Sequence, residues 1–361
     1  DNGDGADSDA EGDPFTVTKV NGAAGNVGSQ FALASGALLT VNANGTFSYN
    51  PNGAFDMLPA GSTDTDSFTY TIDDGVGGFD TATVTITING ANDAPNAEDD
   101  ALSVGQNGTL SANVFVDNGS GVDSDIDAGD GLTVDRVNGQ AGNVGATIAL
   151  SSGATVNIAA NGDISYNPNG AFDSLGVGET ANDSVSYRIS DGAGEFEMAT
   201  VTITINGAND QPDAKNDAFS VGENATLSGG VFSNNGSGAD SDIDGDTLTV
   251  TAVNGVGASV GSQIALASGA LLTLNSNGTF SYDPNGQFDS LAVGATGADS
   301  FAYTVSDGNG GTDTATVTIT INGANDAPTL AAPGSPFAVN EDGPAAQIDL
   351  SVYGYDVDSD D

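Results

Sequence analysis

The string Asn-Gly-Ala-Asn-Asp begins at residues 89, 206 and 322, so the chain repeats itself at spacings of 117 and 116 residues. A period of that length is a domain-sized unit that can bury a core of its own, and it constrains the architecture before any strand is assigned. Other landmarks keep the same register. Asn50-Pro51-Asn52-Gly53 returns as Asn167-Pro168-Asn169-Gly170 and Asp283-Pro284-Asn285-Gly286, and Asp74-Gly75 returns as Asp191-Gly192 and Asp307-Gly308. Two repeats are complete, 95–211 and 212–327. Residues 1–94 form a partial repeat lacking its first strands, and 328–361 supply the first strands of a further repeat.

Inside each repeat the hydrophobic period is two. In Thr81-Ala82-Thr83-Val84-Thr85-Ile86-Thr87-Ile88, apolar residues alternate with threonine, the pattern of a strand with one buried and one wet face. Further strands are expected at Phe68–Ile72, Val185–Ile189 and Phe301–Val305. Asn44-Gly45, Asn161-Gly162 and Asn277-Gly278 lie between such runs, and Asn-Gly supplies the positive φ values of a type I′ hairpin. No segment shows a capped 3.6-residue period. Short strands with turns every 8–12 residues, in a unit of this size, predict an all-β fold of two-sheet antiparallel sandwiches. Phe47 and Tyr49, with their counterparts Phe280 and Tyr282, are spaced to share one sheet face, so the aromatics are expected in the core.

Composition removes several function classes. Fifty acidic side chains face four basic ones, Lys19, Arg136, Arg188 and Lys215, for a net charge of −46. Such a chain repels nucleic acid and anionic membrane surfaces. There is no cysteine for disulfides or thiolate metal sites, and no histidine for general-base catalysis. No apolar run approaches the length needed to span a bilayer, so direct membrane insertion is not expected. Catalysis would have to rest on carboxylates alone. These recur in every repeat, which a single catalytic centre gives no reason for, so the chain is expected not to be an enzyme.

The acids are ordered. Asp123, Asp125, Asp127 and Asp130 form one alternating cluster, and Asp240, Asp242, Asp244 and Asp246 form its copy. Weaker versions occur as Asp7, Asp9, Glu11 and Asp13, and as Asp356, Asp358, Asp360 and Asp361. Calcium takes about six to eight oxygen ligands, and alternating acids in an irregular loop can converge on one ion. An EF-hand is excluded, because it requires flanking helices and a glutamate at its twelfth position. The second candidate is the linker, Asn92-Asp93-Ala94-Pro95, Asn209-Asp210-Gln211-Pro212 and Asn325-Asp326-Ala327-Pro328. Each follows the last strand of a repeat and ends in a proline that disfavours helix before it. If its oxygens meet the aspartate cluster of the next repeat, one ion ties two repeats together.

The succession Asn-Asp-Ala-Pro, Asp217-Ala-Phe-Ser-Val-Gly-Glu223, Asp240-Ser-Asp-Ile-Asp-Gly-Asp246, Asn277-Gly-Thr-Phe-Ser-Tyr282 and Asp307-Gly-Asn-Gly-Gly311 resembles the cadherin-like and VCBS-type tandem repeats of large secreted RTX-type bacterial adhesins. The resemblance covers essentially the whole chain. It implies Ig-like sandwiches in an extended array, secretion to the cell surface, and an extender role in adhesion or biofilm. It also implies that calcium is shared by the linker Asn-Asp, the Asp-x-Asp of the next repeat, Asp191 or Asp307 before the last hairpin, and a strand-A acid. That last role falls to Glu223 and Glu341, whereas the equivalent place in the second repeat is Gln106. Asp99, Asp100 and Asp217 lie nearby and could compensate. The expected partners are neighbouring repeats of the same chain, with the adhesion ligand outside this segment. A second reading is a self-assembling filament, sheath or S-layer-like lattice, in which residues 328–361 of one chain complete residues 1–94 of another by strand donation.

Overall fold

The computed structural model describes residues 5–331, 337–339, 341, 345–351 and 354–358. Its contacts divide the chain into two compact units. One comprises Asp1–Val104, Gly108–Ala171 and Asn182–Ile205, and the other Gly105–Asn107, Phe172–Ala181 and Asn206–Asp361. The division does not follow the sequence repeats, because Gly105–Asn107 and Phe172–Ala181 of the second repeat group with the third.

The second unit contains the third repeat whole. One sheet orders Asp217–Gly222, Thr312–Asn322, Thr296–Ser306 and Thr249–Val253, and the other orders Leu227–Gly230, Thr279–Asp283, Leu271–Leu274 and Gln263–Ala265. Thr296–Ser306 and Thr312–Asn322 pair in unbroken antiparallel register from Thr296 opposite Asn322 to Ser306 opposite Thr312. Alternation then sends Phe301, Tyr303, Val305, Val317, Ile319 and Ile321 inward, where Leu272, Leu274, Phe280 and Tyr282 of the facing sheet meet them. Each such side chain withdrawn from water contributes about 1.5–3 kcal/mol. Phe280 sits edge-on to both Phe219 and Phe301, with ring centroids 5.0 and 5.6 Å away. The antiparallel expectation has one exception here, since Asp217–Gly222 runs parallel to Thr312–Asn322.

In the first unit the first repeat has two three-stranded sheets. These are Thr16–Val20, Thr63–Asp73 and Phe79–Asn89, and Phe31–Ala32, Leu38–Val41 and Phe47–Asn50. Among the described residues neither sheet includes a counterpart of Asp217–Gly222 or Leu227–Gly230. Phe47 is 43% exposed, where its equivalent Phe280 is 3% exposed. The second repeat again has two four-stranded sheets, with Tyr166, Tyr187, Ile203 and Ile205 fully buried. The strands extend beyond the expected cores, Phe68–Ile72 lying within Thr63–Asp73 and Thr81–Ile88 within Phe79–Asn89.

The hairpin expectation needs correction. At Asn44-Gly45, Asn161-Gly162 and Asn277-Gly278 only the glycine has positive φ, so these are not type I′ turns. Gly45 N–H instead closes onto Asn42 O at 2.9 Å, and Asn44 Oδ1 accepts Thr46 N–H at 3.1 Å, which satisfies the donor with asparagine in an ordinary conformation. The type I′ geometry occurs at Asn21-Gly22, Asn138-Gly139 and Asn254-Gly255. Both φ values are positive there (49° and 77° in the first), and the flanking residues Val20 and Ala23 exchange hydrogen bonds. Three short 3-10 turns, Ala24–Asn26, Ala141–Asn143 and Gly257–Ser259, occupy equivalent places. Among the described residues no helix is long and apolar enough to cross a membrane.

Candidate metal centre

The aspartate loops are built from the inside outward. The first acid of each turns into the sandwich. Asp123 accepts Glu98 N–H at 2.7 Å and the Tyr187 hydroxyl at 3.0 Å, and Asp240 accepts Lys215 N–H at 2.7 Å and the Tyr303 hydroxyl at 2.9 Å. With that acid pinned, the next ones face the linker. Asp127 N–H donates to Asp125 Oδ1 at 2.8 Å, and Asp93 N–H of the linker donates to Asp127 Oδ2 at 2.8 Å. Asn92 Nδ2 donates to Asp191 Oδ2 at 2.7 Å. The third repeat copies this: Asp244 N–H meets Asp242 Oδ1 at 2.9 Å, Asp210 N–H meets Asp244 Oδ2 at 2.8 Å, and Asn209 Nδ2 meets Asp307 Oδ2 at 2.7 Å. Further on, Asp326 N–H donates to Asp358 Oδ2 at 2.9 Å and Ala324 N–H to Glu223 Oε1 at 2.6 Å.

Asp125, Asp127, Asp242, Asp244, Glu223 and Asp358 each use one oxygen locally and leave the other without a donor. Among the described residues ten buried side-chain oxygens have no hydrogen-bond partner. Nine belong to these joints: Asn92 Oδ1, Asp125 Oδ2, Asp127 Oδ1, Asp130 Oδ2, Asn209 Oδ1, Asp242 Oδ2, Asp244 Oδ1, Glu223 Oε2 and Asp358 Oδ1. Three sets converge. In Asp125, Asp127 and Asp130, in Asp242, Asp244 and Asp246, and in Glu223, Asp326 and Asp358, one oxygen from each residue lies within 4.8 Å of the others. A buried acceptor without a donor costs about 1–3 kcal/mol, and more when charged. Two full charges 4.8 Å apart repel by a further 3 kcal/mol or so at an effective dielectric of 20. Burial, and then Asp127, Asp125 and Asp191, push the Asp130 carboxyl above its ordinary range. Burial, and then Asp244, Asp173 and Asp242, do the same to Asp210.

The donor set fits a hard divalent cation. It is all oxygen, it lacks the nitrogen or sulfur that zinc favours, and opposed ligands of an ion with bonds of about 2.3–2.6 Å stand about 5 Å apart. A water molecule has only two hydrogens to offer three carboxylates.

Other expected ligands are placed differently. Asp191 and Asp307 reach the joints but hold a full set of donors. Burial would raise the Asp307 carboxyl, yet the Asn209 amide and the N–H groups of Asn309, Gly311 and Gly310 outweigh it and hold the group below its ordinary range. Asp191 is held low in the same way by Asn92, Gly194, Ala193 and Glu195. A Cβ on Gly311 would lie 2.1 Å from Asp307 Oδ2, so only glycine lets the backbone approach that carboxylate. Asp7 accepts the Tyr70 hydroxyl at 2.6 Å, and Asp9 Oδ1 accepts N–H groups of Glu11, Gly12 and Asp13, so Asp7, Asp9 and Asp13 do not converge. Asp246 also accepts Asn309 Nδ2 at 2.7 Å. Asn325 Nδ2 contacts the Asp326 carbonyl, and Asp356 Oδ1 accepts Asp358 N–H at 3.0 Å. Glu341 is exposed. Asp360 lies outside the described residues.

Asp100 and Asp217 do not reach the joints. They are buried in the sandwich at 4% and 3% exposure, facing the Tyr187 and Tyr303 hydroxyls at 3.1 and 3.4 Å, while Asp99 accepts Thr200 N–H. Burial pushes each of the two carboxyls up to about 6. A folded-state pKa above the unfolded one gives stability that is present below about pH 4 and lost as pH rises through about 6. With calcium chelated, the chain is therefore expected to melt at higher temperature at pH 5 than at pH 7. Substituting Asp100→Asn and Asp217→Asn should remove about 1–2 kcal/mol per acid from that difference. An unchanged pH slope in the double variant, followed by circular dichroism, would contradict this assignment.

The sequence profile of the bacterial cadherin-like domain matches residues 1–90, 92–207 and 209–323. The calcium-binding lectin RapA2 of Rhizobium johnstonii is 32% identical over 157 residues, 41% of this chain and 62% of that protein. The chain thus spans less than two thirds of that relative. Among solved structures, the extracellular cadherin domains 1–5 of protocadherin gamma B2 align with a TM-score of 0.46 at 13% identity, over 86% of this chain and 55% of that one. Domains EC22–24 of mouse cadherin-23 align with a TM-score of 0.45 at 12% identity, over 86% and 85%.

Proposed function

Because the chain belongs to the bacterial cadherin-like domain family, matched in three successive segments, we propose that it is a calcium-binding, non-catalytic run of modules from a bacterial adhesin or matrix protein. The observation that carries this reading is the concentration of donorless buried oxygens where linker and aspartate loop meet, nine of ten in the described residues. The modules are 95–211 and 212–327, preceded by the partial module 1–94 and followed by the opening of another at 328–361. Calcium is held by Asp125, Asp127 and Asp130, by Asp242, Asp244 and Asp246, and by Glu223, Asp326 and Asp358. Asn92 and Asn209 add amide oxygens. Asp123, Asp240, Asp191 and Asp307 position the loops. The name of the calcium-binding lectin RapA2 supports the choice of ion.

At the cell surface, where calcium is abundant, such modules act as a stiffened extender, their partners being adjacent repeats and the adhesion ligand lying in another part of the protein. Extracellular calcium modules bind with dissociation constants of about 10⁻⁴–10⁻³ M. Isothermal titration of the chelated chain should therefore give saturable calcium uptake in that range. The uptake should fall by one ion in Asp127→Asn and by a second when Asp244→Asn is added. A folded wild-type chain that takes up no calcium would refute the reading.

A further inference from the structure

Asp93, Asp210 and Asp326 are equivalent linker acids, and each donates its N–H to the equivalent loop acid, Asp127, Asp244 or Asp358. At Asp326 the set is completed by Glu223, which is 2% exposed. One of its oxygens is held by Ala324 N–H at 2.6 Å, and the other is buried without a donor among the carboxylates of Asp326 and Asp358. At Asp210 the corresponding side chain is Gln106, also 2% exposed. Its Oε1 accepts Ala208 N–H at 3.1 Å, the counterpart of the Ala324 contact. Its Nε2 stands where Glu223 has the donorless oxygen, and it donates to Asp210 Oδ2 at 2.9 Å and to Ala208 O at 3.2 Å.

We propose that the Gln106 amide occupies one cation subsite of the joint at Asp210, so that no ion binds there in the way that Glu223, Asp326 and Asp358 bind one. An N–H donor repels a cation, and flipping the amide would set Gln106 Oε1 against both Asp210 Oδ2 and the Ala208 carbonyl. The set also has two carboxylates in place of three, so the charge that would draw in the ion is smaller. The amide joins strand end to linker directly, and this part of the joint is closed without calcium. The neighbouring set of Asp242, Asp244 and Asp246 remains, and the joint at Asp210 keeps one subsite of two.

The inference rests on the calcium reading above, and counting ions by native mass spectrometry of the full chain separates the two. Gln106→Glu should add one calcium ion per chain, and Glu223→Gln should remove one. Limited proteolysis at 207–212 should become more calcium-protected in Gln106→Glu than in wild type. A wild-type chain with no bound calcium overturns the calcium reading and this inference with it. A wild-type chain that binds calcium, with an unchanged count in folded Gln106→Glu, overturns this inference alone. If Gln106→Glu does not fold by circular dichroism, an unchanged count in Glu223→Gln does the same.

Discussion

Chelating calcium should lower the melting temperature of the third repeat by about 10–20 °C relative to 10 mM calcium. The magnitude follows from linkage. At dissociation constants of about 10⁻⁴–10⁻³ M, each ion held only by the folded state contributes about 1.4–2.7 kcal/mol at that concentration. Two convergent sets include residues of the third repeat, Asp242 with Asp244 and Asp246, and Glu223 with Asp326 and Asp358. The sum is about 3–5 kcal/mol, and in a domain a little above 100 residues each kcal/mol moves the midpoint by about 4 °C. Magnesium at equal concentration should restore less, because it demands a tighter octahedron and gives up its water reluctantly. Calorimetry with chelator, calcium and magnesium reads this directly. Superimposable transitions in all three would show that the donorless oxygens do not hold calcium.

Tyr303→Phe should cost about 2–4 kcal/mol in the third repeat, although it removes one atom from a core side chain. The hydroxyl is the donor to Asp240 Oδ2 at 2.9 Å and faces Asp217 Oδ2 at 3.4 Å, inside a sandwich where Tyr303 is 1% exposed. Hydrogen bonds to charged groups contribute about 1.5–3 kcal/mol, and a buried carboxylate stripped of its donor adds its desolvation cost. Asp240 also pins the loop two residues before Asp242, so calcium affinity should fall severalfold in the same variant. Urea unfolding in chelator measures the first effect, and calcium titration measures the second. Tyr282→Phe is the comparison: its hydroxyl bonds Asp299 at 2.9 Å, away from the acidic loops, and its loss should leave calcium affinity unchanged. Equal affinities in wild type and Tyr303→Phe would separate the tyrosine anchor from the metal site.

The sandwich was legible because its signals are local. Alternation in Thr312–Asn322 decides which side chains face inward wherever the strand is placed. The parallel pairing of Asp217–Gly222 with that strand was not legible, since it joins segments about a hundred residues apart and leaves no trace in either period. The turns show the same limit. Asn21-Gly22 and Asn44-Gly45 are the same dipeptide, and only the partner registers of the flanking residues separate the type I′ turn from the other.

In the acidic loops, spacing pointed to Asp125, Asp127 and Asp130 but could not tell that Asp123, two residues earlier, turns the opposite way. What decides it is Tyr187, far along the chain, which alternation marks only as a core aromatic. Recurrence of Tyr70, Tyr187 and Tyr303 beside the recurring acids was the available signal. Gln106 stands out in the sequence as a departure from its sister repeat, but its hydrogen bond to Asp210 depends on the fold bringing the end of one strand to the linker about a hundred residues on.

The most direct test is a crystal structure of this chain grown in saturating calcium. One ion is expected within about 2.3–2.6 Å of oxygens from Asp125, Asp127 and Asp130, another among Asp242, Asp244 and Asp246, and a third among Glu223, Asp326 and Asp358. Loops in which water or a lysine fills those three positions, with calcium in the crystal bound elsewhere, would contradict the calcium reading.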